Sequence, residues 1–365
     1  MDPALLFDKV KDILDWLLGP TTFFLFSVAG LAALIIFRES WTRPKVAFSI
    51  AVFSVAFFLV SVTDHDLALT VKKPDNVPIL IMVGLLALSL WIAFRKMVLN
   101  DKLTSLGLPT IEGRESKKRV LCWPDLLYQE FICLIIISIL LTWWAIELKA
   151  PLEEPASQAK TPNPSKAPWY FLGLQEMLVY FDPWLAGVVF PSYIIVGLMA
   201  VPYIDPNPKG NGYYTFKQRP FAICTYLFGF VVLWVLLIMM GTFLRGPNWN
   251  FFGFYEYWDV HKVEALTNVN LSEYFYNHFL GRALPESIIL RELPGFIVVA
   301  AYFIVLPPIL ANTVFRKMYQ EMGFIRFNAM AHMLIFMAAL PIKMALRWTI
   351  NLKYIVAIPE KFFNI

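Results

Sequence analysis

Eight stretches of this chain are apolar for long enough to cross the hydrocarbon of a bilayer. They run from about Thr21 to Phe37, Val46 to Val62, Val77 to Ile92, Leu126 to Ile146, Trp184 to Val201, Phe221 to Leu244, Pro294 to Thr313 and Phe327 to Leu346. Inside a bilayer every backbone N–H and C=O must find a partner within the protein, so each run is read as helix. Pro191, Pro202, Gly229, Pro307 and Pro341 are then kinks or packing points. The fold class that follows is all-α: a polytopic membrane bundle of about eight spans, with interfacial amphipathic helices. A length of 365 residues would also suit two or three soluble domains, but 58% hydrophobic residues against 16% charged ones rule that out.

Lys and Arg fall in short connections between the spans, as topology control requires, and a net charge of +4 is too small and too dispersed for nucleic-acid binding. Arg38, Arg43 and Lys45 follow the first span, and Arg95, Lys96, Lys102, Arg114, Lys117, Lys118 and Arg119 the third. These connections are therefore expected inside, and the loops Glu147 to Asp182 and Arg245 to Leu293 outside. Cys122, Cys133 and Cys224 form no CxxC or CxxCH motif and read as free thiols. The first nineteen residues mix Lys9 and Lys11 with Asp2, Asp8, Asp12 and Asp15, unlike a signal peptide. Leu5, Leu6, Val10, Ile13, Leu14 and Leu17 recur at helical spacing there, as in an amphipathic helix on the membrane surface.

Four units are expected: a three-helix extension over residues 1–100, a cytoplasmic linker over 101–122, a central unit over 123–247, and residues 248–365 with an outer loop, two further helices and an interfacial C-terminal helix. Lys343 is expected to snorkel from the end of the eighth span. The four histidines, His65, His261, His278 and His332, place only one ring in a span, so no pair can clamp a haem across this bundle. In the loop before the fifth span, Pro151, Pro155, Pro162, Pro164 and Pro168 stiffen a polar connection. The aromatic stretch Trp169 to Phe181 follows, too short to span and too apolar for disorder, and reads as a short helix at membrane depth. An aromatic wall beside a carboxylate, Glu176, suits an amphipathic ring that releases protons; a plain interfacial helix has the same pattern. The turn Pro202 to Gly212, through Asn211, with Arg219-Pro220 beyond it, is a rigid connection or an inner docking surface.

From Trp123 to about Pro247 the chain resembles the C-terminal half of cytochrome b, most closely the separate haem-free subunit IV of b6f complexes. The residues that carry the resemblance come in the family's order. Trp123-Pro124-Asp125-Leu126-Leu127-Tyr128 looks like the entry to its first helix, one residue shorter, and Trp169-Tyr170-Phe171 matches the Trp-Tyr of its Pro-Glu-Trp-Tyr quinol motif. Gly187, Gly197-Leu198, Pro202-Tyr203, Asn207-Pro208, Arg219-Pro220 and Trp234 follow. The resemblance implies a membrane subunit of a bc-type quinol:cytochrome c oxidoreductase in a bacterial cytoplasmic membrane, not catalytic alone, with the Trp169 loop on the periplasmic side. It implies quinol binding by Pro168, Trp169, Tyr170 and Phe171 at an outer oxidation site. No cofactor is expected in this chain alone. The b haems and the Rieske iron-sulfur cluster are expected in partner subunits, with a cytochrome c-type subunit beside them and a dimeric complex. Ala167-Pro168 stands where the family has Pro-Glu, so its usual proton-accepting carboxylate is missing; Glu176, two helical turns after Trp169 on the same face, is the candidate replacement. The competing functions are a structural anchor subunit of another respiratory complex, and a transporter, which the scarcity of Asp and Glu in the spans disfavours.

Overall fold

A computed structural model describes residues 3–116, 118–150, 152, 155–210, 212–264 and 267–365, and the side chains from residue 8 onward. Pro151, Lys117 and Asn211, and the side chains of Leu5 and Leu6, lie outside the described set.

Proline sits in the first turn of four of the membrane helices, where its fixed φ and missing N–H cost nothing. These are α2 (Pro20–Ile36), α4 (Pro44–Ser61), α6 (Val77–Ser105) and α11 (Pro220–Leu244). Before α2 comes α1 (Pro3–Leu17), and the pair is bent by 77° at the break. Val10, Ile13 and Trp16 of α1 are exposed, as an interfacial helix requires. The short α3 (Arg38–Trp41), α5 (His65–Val71) and α7 (Ile111–Glu115) serve as connections, α5 being capped by Asp64, which accepts from the Asp66 and Leu67 N–H groups. The remaining long helices are α8 (Cys122–Glu147), α10 (Leu185–Ile204), α12 (Ile288–Asn312) and α13 (Arg316–Ile350). Between α8 and α10 lies α9 (Trp169–Met177).

Seven of these helices have the length and hydropathy to cross a membrane, and α2 makes an eighth pass when taken with α1. The expected all-α polytopic bundle is therefore what the chain forms. Successive passes alternate in direction, so the connections gather at two ends. At one end, α6 meets the 205–219 turn: Asn100 accepts from the Ile111 N–H and donates to the Tyr214 carbonyl, and Asp101 accepts from the Lys217 N–H. At the other end lie α1, α9, the loops after α8 and α11, and the C-terminal tail. There Asp15 accepts from the Tyr255 N–H, and the Tyr255 hydroxyl donates to Ser61.

The central helix is α11. Leu236, Leu237, Met240 and Leu244 are buried with Phe94 and Met97 of α6, Phe190 of α10 and Leu340 and Met344 of α13. Lipid tails are as apolar as these side chains, so close fit rather than removal from water holds such helices together. The fit is tightest against α9. A Cβ on Gly241 would stand 3.2 Å from the Leu172 carbonyl, and one on Gly173 3.4 Å from the Ile238 side chain. By contrast α8 leaves its whole apolar window unburied within the chain.

Three expectations are corrected. Helix α6 continues to Ser105, so the connection placed at 101–122 begins inside a helix, because Asn100 and Asp101 are buried on its inward face. The tail is not an interfacial helix: α13 stops at Asn351, in a left-handed cap with φ 54°, and Ala357–Ile358 (β1) pairs with Phe363–Asn364 (β2) as a small antiparallel hairpin. Its backbone finds partners in the loop after α11, where the Lys353 N–H donates to the Val269 carbonyl. Lys343 does not snorkel; it is only 2% exposed, between Phe181 and Tyr354, because the tail folds over the end of α13.

The Gly241 contact gives a direct test. Replacing Gly241 with Val is expected to push α9 off α11 and destabilise the detergent-solubilised protein by about 1–3 kcal/mol. Thermal unfolding and faster proteolysis of the loop ahead of α9 would register it.

Candidate functional site

The site is built where α9 lies across the end of α11. Its helix starts at Trp169 after Pro168, and one stripe, Leu172, Gly173, Glu176 and Met177, is buried against α11. That i, i+1, i+4, i+5 pattern is what a helix sharing one face with a neighbour must show. The aromatic residues singled out in the sequence form the first turn of the helix. Trp169, Tyr170 and Phe171 are 36%, 48% and 50% exposed, and consecutive rings contact each other, with centroids 5.5 Å apart for the first pair and 4.7 Å for the second.

The approach to α9 is fixed by side-chain amides. Gln175 accepts from the Ala167 N–H at 2.8 Å and donates to the Ser165 carbonyl at 2.9 Å, which ties the Pro-rich strand back onto the helix it precedes. Asn163 and Asn248 join this strand to the loop after α11, with the Asn248 N–H donating to Asn163 at 2.6 Å. In that loop Asn248 and Trp249 both have φ 57°. Asn tolerates the left-handed region, whereas for Trp it is a strained position, kept here by the hydrogen bond from Arg245 to the Trp249 carbonyl at 2.9 Å.

Glu176 is fully buried, and Arg245 holds it with two hydrogen bonds, Nη2 to Oε1 at 2.7 Å and Nε to Oε2 at 3.0 Å. The Tyr180 hydroxyl lies 3.4 Å from the same Oε1. Burial alone would make the Arg245 guanidinium easier to deprotonate, but the Glu176 charge outweighs it and moves the pKa up. Burial, reinforced by Glu176, raises the Tyr180 phenol far above its ordinary range. The cluster is thus a fixed ion pair with a neutral phenol beside it. Glu176 falls at the same helical angle as Trp169, as the seven-residue spacing requires, and its carboxylate is turned to Arg245 at the end of α11.

Lys166 and Arg245 were not singled out from the sequence. Lys166, three residues before Trp169, donates to the Thr242 carbonyl at 2.8 Å and stands 4.7 Å from the Trp258 ring centroid. Packing strips water from its ammonium and the Lys73 charge adds to the effect, so its pKa is pushed down to about 7. Arg245 had a visible signal, being the first charge after a long apolar run, but its partner is 69 residues away in sequence. No sequence spacing reveals such a pair. The one intramembrane histidine, His332, sets Nδ1 against the Asn328 carbonyl at 2.7 Å and Nε2 against the Phe303 carbonyl at 3.2 Å, so its ring is engaged in packing α12 on α13.

What the fold and this end of the bundle define is a polytopic helical membrane protein with an aromatic helix seated across one end of its central span. Residues 155–258 match the family model described as cytochrome b (C-terminal)/b6/petD, the family that the ordered motifs from Trp169 onward resemble. The match begins after α8, so the Trp123 to Tyr128 stretch lies outside it. It supports a membrane subunit of a bc/b6f-type complex. No solved structure matches the chain.

The buried pair yields a double-mutant test. Arg245→Ala leaves a buried carboxylate unpaired and is expected to cost about 3–5 kcal/mol, whereas adding Glu176→Gln to it restores a good part of that loss. Thermal unfolding of the three variants measures the coupling.

Proposed function

We propose that this chain supplies one wall of the outer quinol-oxidation site of a bc-type complex. The observation that carries the proposal is the exposed aromatic surface Trp169, Tyr170 and Phe171, mounted on a rigidly seated α9 inside the segment that matches the family. A quinol head group is a flat, amphipathic ring, and such rings bind by offset or edge contact with aromatic side chains while their hydroxyls seek polar partners. Pro168 starts the helix and fixes where these rings stand.

Two one-electron acceptors are needed to oxidise a quinol. In this proposal they are a b haem in a haem-bearing cytochrome b-type partner and the iron-sulfur cluster of a Rieske-type partner, with a cytochrome c-type subunit downstream. The Trp169 loop faces the outer side of a bacterial cytoplasmic membrane, and protons are released there. The Lys and Arg pattern supports this, because the opposite end of the bundle carries Arg38, Arg43, Lys102, Arg114 and Lys118. Glu176 has been a candidate for the proton acceptor. Both of its oxygens are occupied by a guanidinium that cannot give up its charge, so we assign it to holding α9 in place.

Purification of the chain from its native membrane is expected to bring with it a b-type cytochrome and an iron-sulfur protein. In that complex Tyr170→Ala is expected to raise the KM for quinol about tenfold, corresponding to about 1.4 kcal/mol of lost binding, with little change in stability since the ring is half-exposed. An unchanged KM, with the same partners still bound, would make the chain a structural anchor subunit instead.

A further inference from the structure

We propose that Lys343, Arg347 and Lys353 form a binding site for a phosphate group, carried by an anionic membrane lipid or free in solution, at the end of the bundle that holds α9. The inference does not depend on the quinol-site function proposed above.

Lys343 poses the problem that such a ligand solves. It lies two turns before the end of α13, is 2% exposed, and among the described residues its Nζ has no hydrogen-bond partner. The ring centroids of Phe181 and Tyr354 stand 5.9 Å from it. Ring faces at that distance return only part of what an ammonium loses when it leaves water. The charged side chains that bear on it are both cations, Lys353 and Arg347.

Arg347, one turn further along the same face of α13, is also buried, and its Nη1 donates to the Thr267 and Asn351 carbonyls at 3.2 and 3.1 Å. Both acceptors are neutral, so they do not balance its charge. Lys353 follows the left-handed cap at Asn351, with its Nζ 5.2 Å from the centroid of the Tyr354 ring that Lys343 also faces. Burial and the Arg347 charge push the Lys353 pKa down, and Asp182 opposes them. The Asp182 Oδ1 already accepts from the Tyr354 hydroxyl at 3.1 Å and from the Asn364 amide at 3.3 Å. Three cations thus gather around one engaged carboxylate. A water molecule would give Lys343 a hydrogen bond but no charge, whereas an anion gives both.

A phosphate suits this set. Its oxygens accept several charge-assisted hydrogen bonds at once, and each lysine brings three rotatable donors on a flexible stem. Lys353 and Tyr354 are partly exposed, so the cluster opens to the surface at the tail. Phe362, in the connection of the tail hairpin, is exposed, and Phe363 stacks on Trp184 with centroids 5.3 Å apart. Aromatic residues of this kind sit among lipid head groups, and basic pockets at the ends of spanning helices hold lipid phosphates by charge. Both features favour a lipid as the carrier.

The test uses the full chain, with any subunits that stay bound to it, delipidated in a neutral detergent. Thermal unfolding is followed while phosphatidylglycerol, phosphatidylcholine or inorganic phosphate is added, the last against chloride at equal ionic strength. Phosphatidylglycerol is expected to raise the unfolding temperature at concentrations where phosphatidylcholine, whose choline offsets its phosphate, has little effect. Lys343→Met and Lys353→Gln are each expected to raise the half-saturating concentration at least about tenfold. Lys353→Gln changes only a partly exposed side chain, so its titration decides the question whatever Lys343→Met does to folding. A response to phosphatidylglycerol alone makes the ligand a lipid, and a response to inorganic phosphate that Lys353→Gln weakens makes it free phosphate. Half-saturation unchanged in Lys353→Gln, phosphatidylcholine acting as strongly as phosphatidylglycerol, or no response to either phosphate source would overturn the proposal.

Discussion

The buried bidentate pair between Glu176 and Arg245 is the constraint on which this end of the molecule depends. A carboxylate fully out of water is tolerable only when both its oxygens are engaged, and Arg245 engages both. Because one partner lies on α9 and the other directly follows α11, the pair fixes the short helix against the central span. The small residues Gly173 and Gly241 let the two backbones approach closely enough for it to form. With that register set, the positions of Trp169, Tyr170 and Phe171 at the start of α9 are set as well.

The same logic of two ends shapes the rest of the chain. Asn100 and Asp101, polar and buried near the end of α6, satisfy backbone groups of the 111 and 214–217 segments and join the N-terminal helices to the central unit. At the opposite end the C-terminal tail acts as a strap: Tyr354 donates to Asp182, Trp184 donates to the Asn364 carbonyl, and the Ala357 N–H donates to the buried Glu292. These contacts join α10, α12 and α13 around the turn that follows α9. They also enclose Lys343, whose ammonium lies 5.9 Å from the ring centroids of Phe181 and Tyr354.

Much of this was legible residue by residue. The apolar runs placed α2, α4, α8, α10 and α11 to within a few residues, since hydropathy over roughly twenty positions is a strong signal and the bilayer leaves helix as the only open form, whereas α6, α12 and α13 run on past their apolar stretches into polar sequence. Trp169 to Phe181 read as a short helix at membrane depth and is one, over Trp169–Met177, with a turn beyond it. The tail was misread because its aromatic and basic composition suits an interfacial helix equally well. Asn351 in a left-handed cap and free strand partners near Val269 decided otherwise, and both are tertiary facts.

By itself the sequence determined the class of protein, the order of its passes, the position of the aromatic helix and the resemblance to the C-terminal part of cytochrome b, because each of these is written in local hydropathy, proline placement or contiguous motif. Only the tertiary structure decided what the charged residues do. Glu176 finds Arg245 across 69 positions, and Lys166 comes to rest on the Thr242 carbonyl across 76. Pairings of that range depend on how α9 docks on α11, and docking is set by close packing in three dimensions, for which a linear sequence has no period.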